Sequence, residues 1–164
     1  MARTEDKIKA GAKGLLEPGE EILAAACARP RGWTQANARA GVDGAVSGAM
    51  GAKKMGGHVE AAREAGFELG SPMALAATNR RLLSIQISNP VGFGIGLKVK
   101  HLIAAVPLAE VDAIESKRLA AGKVLTATVR GVPFKLEIGA GGNVDGILEA
   151  HARARSELVS PNGR

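Results

Sequence analysis

Six basic residues, grouped at three places in the chain, carry the charge to contact an anion or an acidic partner: Arg29, Arg31, Arg80, Arg81, Lys98 and Lys100. Guanidinium and ammonium groups bind phosphate and carboxylate oxygens through charge-assisted hydrogen bonds. The alternative for the arginine pair is a structural turn whose side-chain stems cover apolar neighbours. The alternative for the lysine pair is a solvated strand face or protection of a sheet edge.

The chain shows no pattern of residues typical of catalysis or metal binding. Its histidines, His58, His101 and His151, lie in different segments without the spacing of metal ligands. The carboxylates Glu17, Glu20 and Glu21 stand at a strand entry without apolar packing that would raise a pKa for acid or base catalysis. We therefore expect a binding protein that is not an enzyme and that has no cofactor and no metal.

Composition and charge narrow the class of protein further. A chain of 164 residues is most simply one domain with appendages, and its single cysteine, Cys27, excludes an internal disulfide and is expected to be a small buried thiol. The net charge of +6 is modest. Only four aromatic residues are present, which weighs against binding of RNA or single-stranded DNA through base stacking.

Neither a secretory signal nor a run of about 18 apolar residues opens or interrupts the chain. We therefore expect a cytoplasmic protein. Contact with anionic lipid would place it peripherally at the inner face of the membrane.

The elements that position these residues begin with a predicted hairpin. Two apolar runs, Met73–Thr78 and 82–88, flank a polar turn in which Asn79 can adopt the left-handed conformation. After the turn, Leu83, Ile85 and Ile87 alternate with polar residues, which predicts a half-buried strand.

Further strands and one helix follow from similar patterns. In the segment 97–105, Val99 and Ile103 are predicted to share one face, and the segment 108–118 alternates poorly, which indicates a bulge. Asn143 is a good N-cap for an amphipathic helix. The remaining predicted segments are a helix over 5–16, strands over 20–28, 123–130 and 132–138, and a turn-rich stretch over 89–96.

A segment rich in glycine and alanine, residues 35–66, separates the first two predicted strands. Small residues recur in it every four positions, and we single out Ala40, Gly44, Gly48 and Ala52 as a candidate stripe for helix association. The alternative is a flexible insertion, because glycine lowers helix stability by about 1 kcal/mol relative to alanine. The sequence slightly favours the flexible interpretation.

Four stretches carry a resemblance to a known family. They are 16–23 (LEPGEEIL), 77–83 (ATNRRLL), 106–111 (VPLAEV) and 123–138. With seven strands and a C-terminal helix, the chain resembles pleckstrin-homology (PH) domains, in particular the bacterial PH-like and GRAM-like domains.

The resemblance implies a mainly β fold. We expect a seven-stranded antiparallel PH-like barrel or orthogonal sandwich, capped by the C-terminal helix. This domain would span residues 17–155, with the 35–66 insertion between its first two strands. An N-terminal helix would precede it over 1–16, and a tail would follow over 156–164.

The resemblance also bears on the ligand. Eukaryotic PH domains that bind phosphoinositides use basic residues on the first two strands and the loop between them. Here Arg29 and Arg31 end the first strand, but the second strand, Met73–Thr78, has no basic residue. Bacterial relatives look more like protein-interaction or self-assembly modules. The primary hypothesis is therefore protein–protein interaction or homo-oligomerisation, and the alternative is anionic lipid held by the six cations. Nucleic acid is not expected.

Overall fold

The computed structural model describes residues 3–36, 41–70, 72–88, 96–120, 122–139 and 141–159. Two short 3₁₀ helices, Lys13–Leu15 and Leu108–Glu110, accompany the main elements. The α-helices are α1 (Thr4–Gly11), α2 (Trp33–Ala36), α3 (Gly41–Glu64) and α4 (Val144–Val159). The strands are β1 (Ile22–Pro30), β2 (Met73–Thr78), β3 (Arg81–Ile87), β4 (Val99–Pro107), β5 (Val111–Leu119), β6 (Gly122–Val129) and β7 (Val132–Ile138).

The seven strands form one antiparallel sheet in the order β4-β3-β2-β1-β7-β6-β5. β4 and β5 are its outer strands and do not pair with each other, so the sheet is open and is not a closed barrel. The predicted plan of seven antiparallel strands with an N-terminal and a C-terminal helix is confirmed. The turn-rich stretch 89–96 lies outside the described residues except for Gly96, and α4 continues through 156–159 of the predicted tail.

Strands β1 to β3 are buried on both faces. Leu75 and Leu82 point into the core beneath α4, whereas Leu83 and Ile85 point into a second apolar cluster that includes Ile8 of α1. The predicted half-buried strand is therefore wrong for β3, whose residues from Leu82 to Ile85 are all fully buried. A strand covered twice has no solvated face for polar residues to occupy.

The predicted shared face of Val99 and Ile103 is also wrong. The register between β3 and β4 shifts between Ser84 and Ile85 and again between Gln86 and Ile87. Each extra residue on β4 moves the side chains that follow it to the other face. Val99 accordingly packs against the α1 side and Ile103 against the main core. The predicted irregularity in β5 is confirmed by a register shift between Val111 and Ala113.

Helix α4 covers the main core, as predicted. The backbone N–H of Gly146 donates to Asn143 Oδ1 at 2.9 Å, so Asn143 caps the helix. Val144 and Ile147 are 1% and 0% exposed and face the strands beneath. Asn143 also donates through Nδ2 to the Glu5 carboxylate, which ties α4 to α1.

The insertion between β1 and β2 is helical, which corrects the flexible interpretation over Gly41–Glu64. Its C-terminal end enters the main core, where Ala62 and Ala65 are buried. The chain that follows places Phe67 against Phe134 of β7, with ring centroids 5.8 Å apart. Tertiary packing of this kind outweighs the low helix propensity of glycine.

The small-residue stripe for helix association stays a prediction. Ala40 lies outside the described residues, Gly44 and Gly48 lie within α3, and Ala52 is exposed. A close approach to α3 is found at Gly51. A Cβ added to Gly32, which precedes α2 and has φ +102°, would lie 2.5 Å from the Gly51 carbonyl oxygen.

The contact between Gly32 and α3 can be tested by substitution. Gly32→Ala should lower the free energy of unfolding by about 1 to 3 kcal/mol, because it combines a left-handed backbone with a backbone clash. Gly56→Ala is the matched control, since a Cβ there meets nothing within 4 Å. It should raise stability by about 0.5 to 1 kcal/mol. Urea unfolding of both variants would measure the difference, and equal effects would contradict this packing.

Candidate binding site

The arginine pair at the β2–β3 turn serves the fold. Arg81 donates through Nε and Nη2 to the two carboxylate oxygens of Glu20, at 2.9 and 2.6 Å. Thr78 Oγ1 donates to the same carboxylate at 2.7 Å. The Glu20 side chain is fully buried, and that of Arg81 is 16% exposed. Arg81 is therefore already occupied by an internal anion and is not available to an external one.

The same turn holds the chain that enters β1. Asn79 exchanges two hydrogen bonds with Glu21: its N–H donates to the Glu21 carbonyl at 3.1 Å, and its Oδ1 accepts from the Glu21 N–H at 3.0 Å. Its Nδ2 donates to the Gly19 carbonyl. Among the described non-glycine residues only Arg130 has a positive φ, so the expectation of a left-handed Asn79 is wrong. The Asn79 side-chain amide therefore links the β2–β3 turn to the loop before β1.

The Glu20 carboxylate is held in its ionised form. Its hydrogen bonds with Arg81 are the main cause, and those from the Glu17 backbone and the Thr78 hydroxyl add to it, against the opposing effect of burial. Together they lower the pKa of Glu20 to about 2. A carboxyl group with this pKa is a structural anion and cannot act as a general acid near neutral pH.

The other predicted anion contacts at the turn and on β1 also have local partners. Arg80 is half-exposed and lies 4.0 Å from a Glu17 oxygen. The Arg29 guanidinium stacks over the Trp33 ring at 3.7 Å from its centroid, a cation–π contact. Arg31 lies 3.5 Å from Glu137 of β7.

Glu137 positions the start of the insertion. Its carboxylate accepts hydrogen bonds from the N–H of Gly32 at 2.9 Å and of Thr34 at 3.3 Å, and also from the Thr34 hydroxyl. Gly32 lies in the turn that leads from β1 into α2, and Thr34 lies in the first turn of α2. One carboxylate of the sheet therefore fixes the direction in which the insertion leaves it.

The six predicted cations do not form one surface. Arg29 and Arg31 lie at the end of β1, whereas Arg80 and Arg81 lie at its start, because Ile22 pairs with Thr78. Nine residues of strand separate the two ends by about 30 Å. Lys98 and Lys100 are exposed at the start of β4, three strands away from β1.

A groove that the sequence analysis did not single out lies between α3 and β7. We call it the α3–β7 groove; it has a volume of about 660 Å³ and is lined by Met50, Lys53, Lys54, Gly57, His58, Ala61 and Pro133. Met50 is 62% exposed, and only Leu158 is comparably exposed among the large apolar side chains of the described residues. The α3 members recur at helical spacing, which is the signal that the sequence carried.

The groove is positively charged. Lys53 and Lys54 are exposed, and no ion pair with either is found in the part of the chain that the structure describes. Lys135 of β7, near the groove, also has no such pair there. A second groove of about 550 Å³ beside α1 is lined by lysines and glutamates together, so it does not select one sign of charge.

His58 is the titratable group in the α3–β7 groove that responds to these charges. Its Nδ1 accepts a hydrogen bond from the Lys135 backbone N–H at 3.2 Å, which requires the ring to carry its proton on Nε2. Burial lowers the pKa of His58 below its usual value, and the charges of Lys135, Arg31 and Lys54 lower it further. The ring is therefore neutral at physiological pH.

The remaining candidates stay apart. His151 is a buried residue of α4 and bonds the Val111 carbonyl through Nε2 at 2.7 Å, whereas His101 is exposed on β4. No group of three potential metal-binding side chains is found among the described residues.

Cys27 is half-buried, and burial raises the pKa of its thiol. Within the described residues, no helix combines the length and apolar character needed to cross a membrane.

No protein-family model matches the chain, and no curated protein matches it. Among solved structures, it is similar to a DUF1696 family protein with a pleckstrin-homology domain from Shewanella loihica. The two are 15% identical, with a TM-score of 0.41, over 90% of this chain and 93% of the other.

The Glu20–Arg81 pair makes a testable contribution to stability. Glu20→Gln should lower the free energy of unfolding at pH 7 by about 2 to 4 kcal/mol, because it leaves a half-satisfied guanidinium beside a buried amide. The folded-state pKa of Glu20, about 2, lies below the usual value of 4.5, so its contribution is present above pH 4.5 and lost as the pH falls toward 2. The variant should lose less stability over that range in urea unfolding.

Glu17→Gln is the control for this prediction, because the Glu17 side chain is 57% exposed and its ion pairs are long. It should change stability by less than about 1 kcal/mol. A similar loss in both variants would contradict a special role for Glu20.

The environment of His58 can be measured directly. Replacement of the nearby lysine, Lys135→Gln, should raise the His58 pKa toward its usual value, because it removes one of the charges that oppose protonation. Lys98→Gln, on the distant β4 side, should leave that pKa unchanged. NMR titration of the imidazole Cε1 proton would report both, and a pKa that ignores Lys135 would refute this electrostatic arrangement.

Proposed function

We propose that this protein is a non-enzymatic binding module that contacts another protein, either a separate partner or a second copy of itself, through the α3–β7 groove. The observation that supports this most directly is the combination of exposed Met50 with an apolar floor and lysines that have no ion pair among the described residues. A concave surface with a central apolar side chain and a polar rim is the usual anatomy of a protein interface.

The groove is favoured over the open edges of the sheet. The outer strand β5 exposes Glu115, Lys117 and Arg118, and β4 exposes Lys100 and His101. Charged side chains along an edge strand discourage the addition of a further strand. Contact through a strand edge is therefore the weaker route to assembly.

A binding role also agrees with how the titratable groups are used. Glu20, which is buried beside the β2–β3 turn, is ionised, and its carboxylate accepts hydrogen bonds from Arg81 and Thr78. In the groove, His58 has its acceptor nitrogen occupied by a backbone N–H. Both groups are engaged in holding elements together, which is a structural use.

The alternative function is peripheral contact with anionic membrane lipid. The dispersal of the six predicted cations over three places weakens it, because a lipid headgroup needs converging donors. Basic groups that act jointly on an anionic surface must also lie within about one Debye length of it.

Replacement of the exposed apolar side chain of the groove tests the proposal. Met50→Asp should weaken self-association, or capture of a defined partner, by at least about ten-fold, because it puts a carboxylate into the proposed interface. Light scattering during size-exclusion chromatography, over a wide concentration range, measures the first. Affinity purification from the protein's own cells, followed by titration of the recovered partner, measures the second.

Leu158→Asp is the matched control, because Leu158 is 57% exposed on α4, away from the groove. Both variants should keep the wild-type circular dichroism spectrum. If the Met50 variant behaves like the wild type in both assays, the groove is not the contact surface. Salt-sensitive sedimentation with phosphatidylglycerol vesicles, in place of any protein contact, would favour the lipid alternative.

A further inference from the structure

The charge of the α3–β7 groove indicates what kind of protein segment it takes, and this inference rests on the proposed function. We infer that the groove binds an acidic segment of a partner protein, with carboxylates on Lys53 and Lys54 and an apolar side chain against Met50. The groove volume of about 660 Å³ is in the range that holds a ligand of several side chains.

Both elements that form the groove contribute cations to it. Lys53 and Lys54 come from α3, and Lys135 comes from β7. The charged groups that lower the His58 pKa are Lys135, Arg31 and Lys54, all positive, so they act on the same small region. Of these, only Arg31 has an ion-pair partner, Glu137, within the described residues.

No acid among the described residues forms an ion pair with Lys53, Lys54 or Lys135. Glu60 of α3 pairs with Arg63 at 2.7 Å, and Glu137 is bonded to the turn before α2. Mutual repulsion among the remaining cations is relieved by an anionic ligand, which is the basis of charge complementarity at interfaces.

The apolar part of the groove favours a protein over a membrane. Met50 is largely exposed, and Ala61 and Pro133 line the groove together with it. A helix that rests on a bilayer presents a broad row of large apolar side chains to the lipid. The described exposed positions of α3 are instead mostly small or charged, including Ala52, Gly56 and Gly57.

A carboxylate bound beside His58 would also act on that ring. A negative charge nearby favours the protonated imidazole, so binding of an acidic segment should raise the His58 pKa. Binding would then be accompanied by proton uptake at His58. This gives a readout that mere loss of affinity does not provide.

The experiment uses the full chain and a fluorescein-labelled probe peptide of repeated Glu-Glu-Leu, followed by fluorescence anisotropy. The probe should bind, and binding should weaken as salt rises from about 50 to about 500 mM. The double variant Lys53→Glu/Lys54→Glu should reduce affinity by at least about ten-fold. The His58 pKa, followed by NMR, should rise on addition of the probe.

Lys98→Glu/Lys100→Glu is the matched control, since it makes the same change in net charge on β4, four strands from β7. It should change affinity by less than about two-fold. A peptide of repeated Gln-Gln-Leu should bind at least about ten-fold more weakly than the acidic probe.

Three results with the peptides and the variants would overturn the proposal that the groove binds an acidic segment. They are no binding of the acidic probe, equal binding of the glutamine peptide, and equal losses in the two double variants. Preferential binding of phosphatidylglycerol vesicles through Lys53 and Lys54 would assign the groove to a membrane and overturn it too. In each of these cases the Met50→Asp experiment still decides separately whether the groove contacts a protein.

Discussion

The Glu20–Arg81 ion pair is the interaction on which the arrangement of the first three strands depends. It joins the loop before β1 to the turn between β2 and β3, and so it holds the loop and the turn together at one end of the sheet. A carboxylate that is fully buried must keep its charge compensated, because an isolated ion inside a protein is very costly. Arg81, Thr78 and the Glu17 backbone together meet that requirement.

A second constraint is that β1 to β3 are covered on both faces. Helix α4 lies over one face and α1 over the other, and Asn143 bonds to Glu5 where the two helices approach each other. Small side chains suit strands that must carry packing on both sides, and β1 and β2 are rich in alanine accordingly. The polar residue Ser84 is buried there because its strand has no solvated side.

The candidate groove depends on how the insertion is attached. Glu137 bonds the turn that leads out of β1, Gly32 allows the backbone of α3 to come close, and Phe67 anchors its far end in the core. Between these attachments α3 lies along β7, and the seam between them becomes the groove. A segment that the sequence presents as an insertion between two strands thereby supplies most of the candidate site.

Local pattern determined much of the fold: the β2 bounds, the β6–β7 hairpin, the Asn143 cap and the seven-strand plan with its C-terminal helix are all visible in the sequence. These features depend on residues close together in the chain. The sequence did not reveal that α1 covers the outer face of β3, that bulges move Val99 and Ile103 to opposite faces, or that Gly51 is the close contact of α3. The sequence showed which cations are present, but it did not show which side chains they pair with or how far apart they lie. Only tertiary structure decided these points, because burial, ion pairing and the meeting of Lys53, Lys54 and Lys135 depend on contacts between residues distant in sequence.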